Sequence, residues 1–218
     1  MPRARRISPA NVVFHVINRA NDRRRLFSTD DDYEEFLTLL REASARIPMR
    51  VCAFCLMPNH WHLVLWPTTA GVISPFMHWL SSVHAMRVRR RWNTVGSGHV
   101  YQDRFKSLPV ETGVYYCNVV RYVEGNALRA GLVDRAEDWK WSSLHDRSAE
   151  QPRILLATPI ELPDDWPKWV NAGFTDEELA KLRESAESGR AYGSNAWVAA
   201  QGRRRRRTRR ADLALNAP

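Results

Sequence analysis

Arg50-Val51-Cys52-Ala53-Phe54-Cys55-Leu56-Met57 and His60-Trp61-His62-Leu63-Val64-Leu65-Trp66, joined through Met57-Pro58-Asn59, decide the fold. Two apolar runs of strand length around a short turn read as a β-hairpin. Upstream, Val12 to Ile17 is β-branched and aromatic, a further strand, and Asn18 to Phe27 is a polar, Arg-rich loop. Ser28-Thr29-Asp30 supplies an N-cap for a helix from Asp30 to Arg46, where Tyr33, Phe36, Leu37, Leu40 and Ala43 recur at helical spacing. Downstream, Ile73 to Trp92 is a second helix, basic at its C-terminal end, where cations suit the dipole. Gly96-Ser97-Gly98 breaks the chain, Phe105 to Val110 is a fourth strand, and Glu111 to Ala130 a third helix stopped by Gly131.

The order is strand, helix, strand, strand, helix, strand, helix. Its first six elements are the split βαβ, or ferredoxin-like, arrangement of the α+β class. Such a fold has an antiparallel sheet with helices on one face, leaving the other face for a site. Residues 1–149 form this domain with its C-terminal tyrosine-bearing helix. Beyond it, Pro159, Pro163 and Pro167 punctuate a loop-rich stretch. Thr175 with Glu178 makes a capping box for a helix to Glu187, and Gly193 to Ala200 starts another. Residues 150–202 are thus a small helical appendage, and 203–218 a basic tail expected to be disordered.

The chain has 218 residues, enough for one well-buried domain plus extras. Its net charge of +9 is concentrated in Arg203–Arg207, Arg209 and Arg210, without which the rest is only +2. Such a tail suits a polyanion, nucleic acid being the commonest, or is simply a solvated terminus. Three cysteines, Cys52, Cys55 and Cys117, argue against a disulfide framework and fit a reducing cytoplasm. Neither a membrane-length apolar run nor a signal-peptide h-region is present, so a cytoplasmic, nucleoid-associated protein is expected.

The chemistry centres on His60-Trp61-His62. Strand side chains alternate, so the two imidazoles share a face and converge on one ion, while Trp61 faces the core. On the third helix Tyr122 and Asn126 are four residues apart and share a face. The Asn126 carbonyl oxygen is a hard ligand suited to Mg²⁺ or Mn²⁺. His60, His62 and Asn126 would leave open positions for a phosphate, with Tyr122 one turn away as a nucleophile. A phenol near pKa 10 needs a base or a strong field; Glu124, about 200° around the helix, faces elsewhere. Tyr115 and Tyr116 compete for the role but have Val119 and Val120 four positions on. Cys52-x-x-Cys55 before the histidines suggests zinc. The four-residue gap is too short for a finger, and alternation sends the two thiols to opposite faces, so both are read as packing residues.

Pro58-Asn59-His60-Trp61-His62-Leu63-Val64 resembles the HUH segment of IS200/IS605-like Y1 transposases, and the chain resembles most specifically the REP-associated tyrosine transposases. Phe14-His15-Val16 with Asn18-Arg19, Gln102 to Ser107, Arg121 to Val123 with Asn126, Arg129 to Val133, and Asp138 to Ser143 agree as well. The likeness spans residues 10–145. Ala127 stands where the family often carries Pro. The resemblance implies a ferredoxin-like fold, a divalent metal, hairpin-flanked single-stranded DNA as substrate and a 5′-phosphotyrosine intermediate. It carries the metal histidines onto His60 and His62, the third ligand onto Asn126 and the catalytic tyrosine onto Tyr122. Arg19, Arg104, Lys106 and Arg129 are candidate DNA-binding cations. Arg87, Arg89, Arg90 and Arg91 are either further phosphate contacts or a solvated helix end. A non-catalytic, domesticated hairpin-binding protein and a metal-dependent nuclease using water are the competing readings. A monomer with its tyrosine in cis and a homodimer with it in trans both remain open.

Overall fold

The computed structural model describes residues 8–96, 98–154 and 156–203; the N-terminal Arg cluster and the Arg tail from residue 204 on lie outside them. Strand β1 (Val13–Arg19) is followed by helix α1 (Asp30–Arg46), the hairpin β2 (Met49–Met57) and β3 (His60–Pro67), helix α2 (Ile73–Arg91) and β4 (Lys106–Val110). The sheet order is β2-β3-β1-β4, and every pairing is antiparallel. This is the split βαβ topology expected from the element order. Both crossovers put α1 and α2 on one face, over Phe14, Val16, Phe54, Leu56, Trp61, Leu63 and Leu65.

The start of α1 is a full capping box: Thr29 accepts from the Asp32 amide, and the Asp32 carboxylate accepts from the Thr29 amide. The basic end of α2 is tied to α1. Arg91 pairs with Asp32 and Glu35, and Arg87 with Glu35. Two of its four arginines are therefore neither free phosphate contacts nor solvated ends. Beneath them His84, fully buried, accepts at Nδ1 from Tyr101 Oη (2.6 Å), which accepts in turn from Trp61 Nε1 (3.0 Å). That chain links α2 to the strand carrying the two histidines.

The second face departs from the expectation of an open surface. Helix α3 (Val114–Glu124) lies across β2 and β3, continued by the single turn α4 (Asn126–Arg129). Val119, Val120, Val123 and Ala127 pack there on Val13, Val64, Leu108 and Val110. The third helix starts at Val114, three residues later than its periodicity suggests, because Gly113 takes φ +77°. A β-bulge between Val51 and Ala53 also corrects a reading. The extra residue resets the alternation, so Cys52 and Cys55 face the same cluster rather than opposite ones.

Residues after 140 complete the sheet. Helix α5 (Ser143–Arg147) packs on β2, and α6 (Trp166–Asn171) on α3. Helix α7 (Asp176–Ser188) carries the Thr175/Glu178 capping box. Residues 195–203 are helical as well. Single bridges at Val51–Leu156 and Val110–Tyr192 lie on β2 and β4, the two edges of the sheet, where open backbone groups would otherwise invite pairing. No helix among the described residues is long and apolar enough to cross a membrane.

Candidate active site

Three imidazoles gather under α3. His60 and His62 share a face of β3, their centroids 5.1 Å apart, while Trp61 between them is buried among the residues under α1 and α2. His60 Nδ1 lies 2.7 Å from Asn59 Oδ1, and His62 Nδ1 lies 2.9 Å from His15 Nε2. His15 stacks on His62, centroids 5.1 Å apart at 20°. The Nδ1 atom of each β3 histidine thus has a polar neighbour, the kind of contact that orients imidazoles in metal sites. Burial holds all three rings neutral. His15 is lowered to about 3, with Arg129 contributing; His60 to about 4, with Arg19 contributing; and His62 well below the ordinary 6.5, again chiefly by burial. Neutral imidazoles keep the lone pairs that a cation requires.

Tyr122 hangs from α3 with its ring edge-on to both His15 (6.0 Å) and His62 (5.9 Å). These partners belong to its own chain. Its rivals are elsewhere. Tyr116 is buried and donates to Thr158 Oγ1, and Tyr115 packs on Tyr192. Glu124 points away from Tyr122, as its angular offset requires. Its carboxylate accepts from Ser143 Oγ (2.5 Å), Arg147 Nε (2.8 Å) and Trp166 Nε1 (2.5 Å).

Asn126 begins the turn after Tyr122, and its buried Nδ2 makes no hydrogen bond. The Asn126 carboxamide oxygen and two neutral imidazoles are a donor set whose chemistry fits an octahedral dication. Among the described residues no three His, Cys, Asp or Glu side chains gather as a metal site. Burial pushes the Cys52 and Cys55 thiols up to about 12, which leaves them protonated, as packing residues are.

The four candidate cations part company. Arg19 is exposed, pairs in register with His60, and its charge reaches both β3 histidines. Arg104 is exposed on the far side of the sheet end, in a groove described below. Lys106 donates to the Glu187 carbonyl at 2.9 Å and so ties β4 to α7. Arg129 does not reach outward. Its guanidinium lies 4.3 Å over the Tyr122 ring centroid and donates to the Tyr122 carbonyl. Gly125, costly inside a helix, makes room for it. A Cβ there would come within 3.1 Å of Arg129 Nη1 and of the Arg121 carbonyl, and 3.3 Å of Val170. Phe174 lies between Arg121 (4.3 Å) and Arg129 (5.9 Å).

Sequence reasoning missed His15 as a member of the site and Arg129 as the neighbour of the tyrosine. The signals for His15 were its place in the Phe14-His15-Val16 stretch quoted above and a lone polar ring on a strand face otherwise filled by Val13 and Ile17.

Residues 8–126 match the family model described as IS200-like transposases. Among solved structures, a REP-associated tyrosine transposase bound to a REP hairpin aligns with 74% of this chain and 95% of its own, at 19% identity and a TM-score of 0.55. A crystal structure of a putative transposase from Deinococcus radiodurans R1 aligns with 61% of this chain and 92% of its own, at 19% identity and a TM-score of 0.40. At these identities the first shows a shared fold and the second adds nothing further. No curated protein matches the chain.

Proposed function

The chain belongs to the family of IS200-like transposases, and we propose that it cuts and rejoins hairpin-flanked single-stranded DNA with Tyr122 as nucleophile. The observation that carries this reading is the Tyr122 ring set edge-on against His15 and His62 of the same chain.

Tyr122 Oη forms a bond to the scissile phosphorus, and the bond from phosphorus to the 3′ oxygen breaks. The phenolic proton is lost to solvent, and the departing 3′ oxygen takes one up as a hydroxyl. The 5′ end stays on the tyrosine as a phosphodiester. Attack by another 3′-hydroxyl reverses these bond changes, frees the tyrosine and rejoins the strand. Arg129, over the ring, offsets the negative charge that develops on the phenol as it attacks. Arg19 neutralises a phosphate entering beside His60. His60 and His62 through Nε2, and Asn126 through Oδ1, would hold Mg²⁺ or Mn²⁺, which when bound supplies Lewis-acid polarisation of the phosphate. Asn59 and His15 hold the two imidazoles for that task.

A denaturing gel tests the reading. The protein is incubated with single-stranded hairpin DNA from the flanks of its own gene and Mg²⁺ or Mn²⁺, beside Tyr122→Phe and an EDTA control. A covalent protein–DNA band that needs metal and disappears in the variant is expected. Cleavage without that band would assign the attack to water. Hairpin binding without cleavage would make the protein a non-catalytic binder.

A further inference from the structure

On the sheet face opposite Tyr122, α2 and residues 98–105 enclose a groove of about 590 Å³. We propose that this groove binds one or two unpaired nucleotides of the DNA strand, leading it round the end of β1 to the tyrosine; the proposal rests on the transposase reading above.

The lining is chemically that of a nucleotide site. Arg89 and Arg104 offer cations for phosphate, while Asn18, His78, His99 and Gln102 offer hydrogen-bonding groups for base edges. Met86, 54% exposed, supplies apolar surface for a base face. The groove's one acid, Asp103, accepts from the Arg104 amide. Two buried atoms of lining residues, Ser81 Oγ and Arg89 Nε, have no hydrogen-bond partner. Unmet buried polar atoms are few in folded proteins, and each calls for a partner or a role. The size suits a small ligand of nucleotide dimensions, for which pockets of roughly 300–1,000 Å³ are usual, and is too small for a duplex.

Position supplies the rest. Asn18 is in the groove wall, and its neighbour Arg19 pairs with His60. Successive strand residues face opposite sides, so groove and tyrosine site sit back to back at one end of β1. The Gln102 amide donates to the Arg19 carbonyl at 3.0 Å, and Ala20 bridges to Tyr101. The groove rim is therefore continuous with the strand end that carries Arg19. A single strand crossing this end meets cations on both sides.

The test is fluorescence anisotropy on the full chain with two fluorescein-labelled probes, a stem–loop with unpaired arms on both sides and the same stem–loop cut blunt. Arg104→Ala and Gln102→Ala should each weaken binding of the armed probe about fivefold to tenfold and leave the blunt probe within about twofold. Arg104→Ala should also lower the salt slope by about 0.7, one single-strand phosphate contact. Independently of any variant, 5-iododeoxyuridine in the arms should photocrosslink to peptides containing residues 74–89 or 98–105 of the wild-type protein. Equal affinity of the wild type for both probes, an unchanged arm preference in both variants, or crosslinks confined to other peptides would overturn the groove while leaving the transposase reading intact. Failure of the wild type to bind either probe would sink that reading first.

Discussion

His84 makes the stability of this protein fall in mild acid by a calculable amount. The ring is fully buried, between Phe27 (5.4 Å) and Phe36 (4.9 Å), and its Nε2 has no partner. Burial, with Arg91 and Arg87 adding to it, lowers its pKa from 6.5 to about 3. The folded pKa is depressed, so the unfolded chain takes up the proton first. The full stability is present above pH 6.5 and is lost as pH falls toward 3. At pH 5 the gap between the ordinary value and the pH is 1.5 units, which at about 1.4 kcal/mol per unit is about 2 kcal/mol from this residue. Replacing it by Phe keeps the ring packing and removes the proton site. Any constant cost of the variant, such as the lost Tyr101 hydrogen bond, cancels when each protein is compared with itself. Urea unfolding at pH 7.5 and pH 5.0 should show the wild type losing about 2 kcal/mol more than His84→Phe. Equal losses would mean that His84 is not held neutral in the fold, and the argument from its burial would fail. His15 follows the same rule, which makes His84→Phe still pH-sensitive, only less so.

Two further substitutions test the packing around the tyrosine helix. Gly125→Ala removes a helix-breaking residue and on propensity alone should stabilise; because its Cβ meets the Arg121 carbonyl and Arg129 at 3.1 Å, we expect a net loss of about 1 kcal/mol by chemical denaturation and slower adduct formation. Glu124→Ala removes the carboxylate that Arg147 Nε and Trp166 Nε1 donate to and should cost about 3 kcal/mol in the same assay, with Glu124→Asp recovering part of it.

The hairpin and its two histidines were legible because strand alternation is rigid: once His60-Trp61-His62 is a strand, Trp61 in the core puts both imidazoles on the other side. Helices α1 and α7 were legible from their capping residues, Thr29 and Thr175. What escaped depends on contacts remote in sequence. His15 becomes a site residue only through the β1–β3 register, which sets Ile17 against His62 and leaves His15 diagonal to it. The bulge after Val51, which turns Cys52 and Cys55 to one side, leaves no mark in the residue pattern. The closure of both sheet edges by Leu156 and Tyr192 rests on single bridges, too short to have a periodicity at all.

Remote contacts also decide where Tyr122 points. Each residue turns a helix by about 100°, so a slip of α3 by a single position would carry Tyr122 away from the histidines. Nothing on the tyrosine side alone prevents this, since His15 and His62 touch the ring only edge-on. The restraint is on the opposite side of the helix, where the Glu124 carboxylate is held by Ser143, Arg147 and Trp166, and Arg147 also donates to the Cys52 carbonyl of β2 at 2.7 Å. Arg129 then fixes the ring from above, in the space that Gly125 leaves and against Phe174. The residues that aim Tyr122 therefore come largely from 129–174, mostly beyond the sheet that carries the histidines. For this chain the segment after the split βαβ core sets the position of Tyr122, because the core alone carries His15, His60 and His62 and nothing that holds the tyrosine helix in register.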